Sequence, residues 1–453
     1  MQQWTPQQVA HAAGANLLVP SVSAVGPELV TIDSRAAGPG ALFVGLRGEN
    51  ADGGAFAAKA LEAGAWGVLT TEEHANALGN GTSASVLVTG DPLKSLQTLA
   101  TAWRRELNPQ VIGVTGSTGK TSTKDLLLAV LTPHKRTVAS RANFNTEIGL
   151  PLEILNAPQG TEILVLEMGM RGRGQIAELA EIAEPNIAVI VSIGPVHLEL
   201  LGSIEAIAAT KAELIAELPP GGTAIIPAGE KLLDPHRRDD VTIVTFGPDG
   251  DVRLTASAPD RVIIDAQGTE ITLEVPFTQA HLRSNLLAAV AAARAAGVTP
   301  RGRVELALSQ GRGQRYITPS RVTVIDDCYN ANPISMRAAL DDLKDTAAAG
   351  DRARRVAVLG DMLELGPQER EFHVQLGEQA AAAGVDVLVT VGPRAASIAE
   401  SFSGETHTLT DATQAATVVP ELLAPGDVVL VKASRGVGLE LVCRALGARE
   451  DDA

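Results

Sequence analysis

Residues 111–122 (VIGVTGSTGKTS) lead from an apolar run into a glycine-rich turn that ends in Gly119, Lys120 and Thr121. A strand, a glycine turn and a helix in that order can fold backbone N–H groups around phosphate oxygens, and the helix N-terminus adds positive potential. Lys120 would reach the β- and γ-phosphates of ATP, and the Thr121 hydroxyl would ligate Mg²⁺. The usual G-x-x-x-x-G-K-[ST] spacing fails, because Val114 stands at its first glycine and Gly116 comes two residues later. The shifted glycine predicts one particular kind of ATPase loop. A helix-capping turn carrying a chance lysine is the bland alternative.

Three further side chains have the right chemistry to join such a loop. Glu167 ends the apolar run Ile163-Leu164-Val165-Leu166, so it should emerge at the carboxyl edge of a sheet, where open α/β sheets hold ligands and a carboxylate can hold Mg²⁺. His197 follows the strand predicted over 187–193 through Gly194-Pro195-Val196, which brings an imidazole to the same edge. By itself it reads equally as a surface histidine. Lys211 falls on the apolar stripe Ile204, Ile207, Ala208, Leu214 and Ile215 of a predicted helix over 203–218. An ammonium on a buried face costs several kcal/mol, as an order of magnitude, unless it is paired or its charge is altered. It either snorkels at a rim or serves the site, where a neutral amine could take up CO₂ as a carbamate and become an anionic metal ligand.

These groups need a scaffold, and 453 residues supply several domains. Short apolar runs alternate with longer helical ones from residue 110 onward, the pattern of a mostly parallel sheet covered by helices. Residues 1–105 read as a small α/β domain, 106–310 as a central P-loop ATPase-like domain and 311–453 as a Rossmann-like α/β domain, with a Gly/Pro/Arg break at 297–303. Residues 241–277 read as β-hairpins, an Ala-rich helix is predicted from 285 to 296, and 449–453 read as a frayed acidic tail.

Composition excludes other classes. A net charge of −16 and 3% aromatic residues argue against a nucleic-acid binder. Two cysteines cannot build a disulfide framework or a Cys-rich zinc site in a chain this long, which favours a reducing compartment. Residues 1–10 lack a basic run followed by an apolar core, and no apolar run approaches the ~18–20 residues needed to span a bilayer, so the reading is cytoplasmic; the chain is taken as a monomer.

In these residues the chain resembles the Mur ligase family, ATP-dependent amide ligases of peptidoglycan precursor synthesis. The likeness covers Thr115-Gly116-Ser117-Thr118-Gly119-Lys120-Thr121, Asn143-Phe144-Asn145-Thr146-Glu147-Ile148-Gly149, Glu167, His197, and Lys211 at the family's carbamylated lysine. It implies that Asn145 and Asn285, the latter taken to head the Ala-rich helix, line the nucleotide site. Arg312 and Asp327 would be brought to the nucleotide by the C-terminal domain, so closure of the domains would be needed. Asp33-Ser34-Arg35 resembles a UDP-binding segment, with Ser34 and Arg35 as contacts; Gly54 stands where the family carries histidine, Ala433 where it carries glycine, and Cys328 where it carries serine.

Two stretches, Asp326-Asp327-Cys328-Tyr329-Asn330-Ala331-Asn332-Pro333 and Gly360-Asp361-Met362-Leu363-Glu364-Leu365-Gly366, resemble the member that takes a dipeptide. The implied partners are ATP, UDP-N-acetylmuramoyl-tripeptide and D-alanyl-D-alanine, with Asn330 and Asn332 near the dipeptide by position. Lys120, Glu167, His197 and carbamylated Lys211 would be the catalytic set, and Thr121 would join the last three in organising Mg²⁺. The rivals are a sister ligase for another amino acid, a folate polyglutamate ligase, a P-loop kinase or NTPase of another class, and a non-enzymatic nucleotide-binding module. The 326–333 stretch argues against the first two, and the shifted glycine with a second full βα domain against the third. Lys211 on an apolar face has no purpose in the fourth.

Overall fold

The computed structural model describes every residue except 22–23, 49–50, 79–81, 142, 349–352 and 449–453, so the tail read at 449–453 lies outside the described residues. Among the described residues, three sheets organise the chain. The first has five strands, all parallel except Asn16–Val19, which runs antiparallel to Ser85–Val88 at one edge. The helix Pro92–Leu107 leaves it and packs onto the middle of the chain, where Trp103, 1% exposed, meets Trp4 edge to face at 5.3 Å.

The middle sheet has ten strands, and the strand Gln110–Thr115 lies between Ile163–Glu167 and Ile187–Ile190, all three parallel. These core strands are buried on both faces, which explains their unbroken apolar runs. The chain leaves Gln110–Thr115 where strand order reverses, the place at which open sheets bind ligands. Thr242–Phe246 is not a hairpin strand. It continues the parallel sheet beside Thr223–Pro227 over five residue pairs, and only Val252–Ser257, Arg261–Ala266 and Thr269–Glu274 form antiparallel hairpins. The alternation in 241–246 suits either pairing, so sequence alone misassigned it. The Ala-rich helix also starts earlier than read: it spans Ala280–Ala295, so Asn285 sits inside it.

The third sheet has six strands, parallel except for the edge strand Gln314–Ile317, with Val428–Lys432 inserted between Thr323–Asp326 and Arg355–Gly360. This crossover places three turns at one sheet edge: 327–332, 361–365 and 433–436. None of the helices among the described residues is long and apolar enough to cross a membrane.

His373, fully buried on the helix Glu369–Ala382, holds the second of these turns. Its Nε2 accepts from the Met362 amide at 3.0 Å and its Nδ1 donates to the Glu369 carbonyl at 2.7 Å. Both nitrogens are used in the neutral form, and burial lowers the imidazole from its ordinary value of 6.5, against the opposing pull of the Glu369 carbonyl. The unfolded chain therefore takes up the proton first: the contribution is complete above about pH 6.5 and is lost as pH falls through the lower folded value. Urea midpoints should decline on going from about pH 7 to about pH 5, and less steeply in His373→Gln.

Candidate active site

The phosphate loop closes on a helix that is left without a side-chain cap. Gly119 takes the N-cap position of Lys120–Leu131 at φ 78°, a left-handed conformation suited to glycine, so no side chain accepts from the first-turn amides. Those donors and the helix potential remain available to an anion. The loop is pinned from behind: the Ser117 amide donates to the Ser192 carbonyl at 2.9 Å, the Thr118 amide to Ser192 Oγ at 2.9 Å, and Ser117 Oγ to the Gly194 carbonyl at 3.0 Å. Thr115 is fully buried and its hydroxyl donates to the Met168 carbonyl at 3.0 Å, so its side chain serves the loop's foundation. Lys120 Nζ donates to the Gly116 carbonyl at 2.9 Å; burial lowers the ammonium, Glu167 opposes that, and Arg312 adds to it.

Glu167 is 2% exposed and fully engaged. Thr121 Oγ1 donates to its Oε2 and Asn145 Nδ2 to its Oε1, each at 2.8 Å. Asn145 thus orients the carboxylate, and a hydroxyl and a carboxylate sit together beside the phosphate loop. Lys211 is 2% exposed, and its Nζ makes no hydrogen bond or ion pair among the described residues. Burial, reinforced by Lys120, drives its pKa well below the ordinary lysine value. The stripe position read from sequence therefore ends in a buried amine facing the cleft, and the snorkelling alternative fails.

One cleft of about 640 Å³ gathers Lys120, Asn145, Glu167, His197 and Lys211 from the middle sheet with Arg312, Asn330 and Asn332 from the third-sheet side. Tyr329, Glu364 and Arg435 share this wall, and sequence reasoning assigned none of them a role. The Arg312 guanidinium stacks 4.0 Å over the Tyr329 ring, with that of Arg435 5.2 Å from the same ring. His197 Nδ1 donates to the Glu364 carboxylate, tying the two sides together. Burial lowers the His197 pKa despite Glu364, so its Nε2 is left as an acceptor.

Other expected residues land elsewhere. Asn285 sits inside its helix instead of heading it, and its amide lies against the phosphate loop, with its Oδ1 2.8 Å from where a Cβ on Gly119 would fall. Asp327 is not on the cleft wall, because Lys432 Nζ holds its carboxylate at 2.6 Å. Asn332 caps the helix Pro333–Ala348, accepting from the Ser335 amide at 3.0 Å, and Asn330 Oδ1 accepts from the Ala331 amide at 2.9 Å, so the two amides differ in that Asn330 is exposed and Asn332 is buried. Ser34 and Arg35 lie in the turn after the strand Leu29–Thr31 of the first sheet and do not line the cleft, with Arg35 paired to Asp33 at 2.8 Å. Gly54 makes room for another imidazole: a Cβ there would come within 2.1 Å of His74 Cδ2, and His74 Nε2 lies 3.1 Å from Asp52 Oδ2. Ala433 fits because Gly360 faces it, a Cβ on Gly360 falling 2.6 Å from that of Ala433.

Sequence comparison matches residues 114–293 to the Mur ligase middle domain, 311–435 to the Mur ligase, glutamate ligase domain, and 28–110 to the Mur ligase family, catalytic domain. A Synechocystis protein named UDP-N-acetylmuramoyl-tripeptide--D-alanyl-D-alanine ligase is 38% identical over 426 residues, covering 92% of this chain and 91% of its own. Among solved structures, MurF from Acinetobacter baumannii is similar at TM-score 0.86 and 28% identity, covering 98% of each chain. MurF from Thermotoga maritima, solved in complex with ADP, is similar at TM-score 0.79 and 29% identity, covering 92% of this chain and 96% of that one.

The tight seat of Gly119 is testable. In Gly119→Ala the added Cβ meets Asn285 Oδ1 at 2.8 Å and Val191 Cγ1 at 2.9 Å, at a positive φ. Strain of about 1–3 kcal/mol should displace the loop and weaken ATP binding about tenfold or more, read by calorimetric titration, with the chain still folded.

Proposed function

The chain belongs to the Mur ligase family, and on that premise we propose that it is an ATP-dependent, ADP-forming ligase joining D-alanyl-D-alanine to UDP-N-acetylmuramoyl-tripeptide in peptidoglycan precursor synthesis. The observation that carries this reading is the single cleft in which the phosphate loop, Glu167 and Lys211 face the 329–332 and 363–365 turns of the third domain. The division of labour follows the three sheets. Residues 1–105 take the UDP end through Ser34 and Arg35, 106–310 take ATP, and 311–453 bring Arg312 and the dipeptide turns.

A peptide carboxylate is a poor electrophile. Its oxygen first attacks the γ-phosphorus of ATP, ADP leaves, and an acyl phosphate forms. The dipeptide amine then attacks the acyl carbon, phosphate departs with the C–O bonding pair, and the amine sheds its proton. Lys120, the uncapped helix amides and Arg312 counter the charge that builds on the transferring group. Asn145 holds the Glu167 carboxylate in register beside the phosphate loop, and Glu364 holds the His197 ring across the cleft.

The paired Thr121 hydroxyl and Glu167 carboxylate form the oxygen set that suits a hard cation, and His197 and a carbamylated Lys211 would complete it. Mg²⁺ bound there would neutralise phosphoryl charge. Lys211 suits the modification because burial disfavours the ammonium and favours the nucleophilic amine, whose nitrogen can add to CO₂, giving the carbamate anion and releasing one proton.

Purified protein given ATP, Mg²⁺, UDP-N-acetylmuramoyl-tripeptide and D-alanyl-D-alanine should yield ADP, phosphate and a heavier UDP-linked product by mass spectrometry. Release of ADP at the same rate without the dipeptide, or equal use of a single amino acid, would refute the assignment. Lys211→Ala should lower the rate by about 10²–10³-fold, with partial rescue by short-chain carboxylic acids. Normal activity of that variant would dispose of the carbamate.

A further inference from the structure

The chain's two cysteines lie 115 positions apart in sequence, at 328 and 443, yet share one buried corner of the third domain. Cys328 follows the strand Thr323–Asp326 and is 6% exposed; Cys443, on the helix Glu440–Ala445, is 1% exposed. Asp326, also buried, accepts from the Cys328 amide at 3.2 Å. One carboxylate oxygen and the two sulfurs lie within 4.8 Å of one another. We propose that Asp326, Cys328 and Cys443 form a binding site for a soft divalent cation of the Zn²⁺ class, with donors distinct from the hard-cation set at Thr121 and Glu167 although Thr121 lines the same cavity.

Donor chemistry selects the metal. Two sulfurs and one oxygen favour Zn²⁺ over Mg²⁺, which demands oxygen and keeps its waters. Tetrahedral ligation at Zn–S ≈ 2.3 Å and Zn–O ≈ 2.0–2.2 Å separates donor atoms by roughly 3.5–3.8 Å, so the cluster needs to contract by about 1.3 Å at most. The three residues also line a cavity of about 320 Å³, which gives a fourth ligand, such as water, somewhere to sit. Cys328, burial and Asp326 hold the proton on Cys443, so the cation must displace both thiol protons on binding; Arg312, Arg435 and Arg444 line the same cavity with Glu440, and their guanidinium charges offset the anionic excess of two thiolates and a carboxylate on one divalent ion.

The three ligands come from a strand end, the turn after it and the C-terminal helix. A cation held by them would staple that helix to the turn carrying Tyr329, whose ring Arg312 stacks upon. Metal occupancy would therefore steady the surface that presents Arg312 to the cleft. Binding itself is independent of the ligase reading and can be tested without substrates.

Reduced, metal-free protein titrated with Co²⁺ should develop a near-ultraviolet thiolate-to-cobalt charge-transfer band that saturates at one equivalent; with only two cysteines in the chain, its origin is unambiguous. Zn²⁺ should abolish the band, excess Mg²⁺ should not, and Zn²⁺ should raise the melting temperature and slow reaction of both thiols with a disulfide reagent. Cys328→Ser and Cys443→Ser, near-isosteric changes checked for folding by circular dichroism, should each lose the band. Asp326→Asn should keep a weakened one. The proposal is overturned by absence of the band, by its survival in Cys328→Ser, or by oxidised glutathione converting the two thiols to a disulfide at the same rate with and without Zn²⁺.

Discussion

The Glu167 carboxylate is held on both oxygens, by Thr121 and Asn145, and its amide donates to Ser140 Oγ at 3.1 Å. Those four residues come from a strand end, the phosphate helix, the segment after it and the turn at 140, so one buried acid keeps four pieces of chain in register. A buried carboxylate without partners would be strongly unfavourable, and the hydrogen bonds that stabilise it are the ones that position the loop. The arrangement also fixes where a cation can act, because the same oxygens that lock the scaffold face the phosphate side.

Around that acid the cleft concentrates positive groups. Lys120, Lys211 and Arg312 lie close enough that Lys120 depresses Lys211 and Arg312 depresses Lys120. Two cations and a buried amine whose charged form burial disfavours, gathered around one acid, are a poor arrangement for an empty protein and a good one for polyphosphate. The overall charge of −16 is therefore no obstacle to anionic substrates, since their recognition is local and uses glycine-loop amides and a few cations.

The two sides of the cleft meet through strained backbone as well as charge. His197 and Glu364, which bond to each other, both adopt left-handed conformations, at φ 54° and 62°. Each costs about 1 kcal/mol for a residue with a Cβ, and the gain is that two turns aim their side chains at one point. Gly366 allows the approach: a Cβ there would lie 3.3 Å from the Glu199 backbone. The GDMLELG stretch was legible as a signature, but its partner was not, because no local pattern links residue 364 to 197.

The local sequence was enough to define the phosphate loop, the strand-end position of Glu167 and the apolar stripe that buries Lys211, since periodicity and glycine placement act over a few residues. It misplaced Asn285 and the strand Thr242–Phe246, where helix starts and strand partners depend on distant packing. Tertiary structure alone decided that Asp327 turns to Lys432, that Asn332 caps its own helix, that His74 fills the space left by Gly54, and that the two cysteines meet. The division has a simple cause. A residue's secondary structure and side are set by its neighbours in the chain, whereas its partner is set by which strands lie side by side, and the crossovers of the three sheets place residues more than a hundred positions apart in contact.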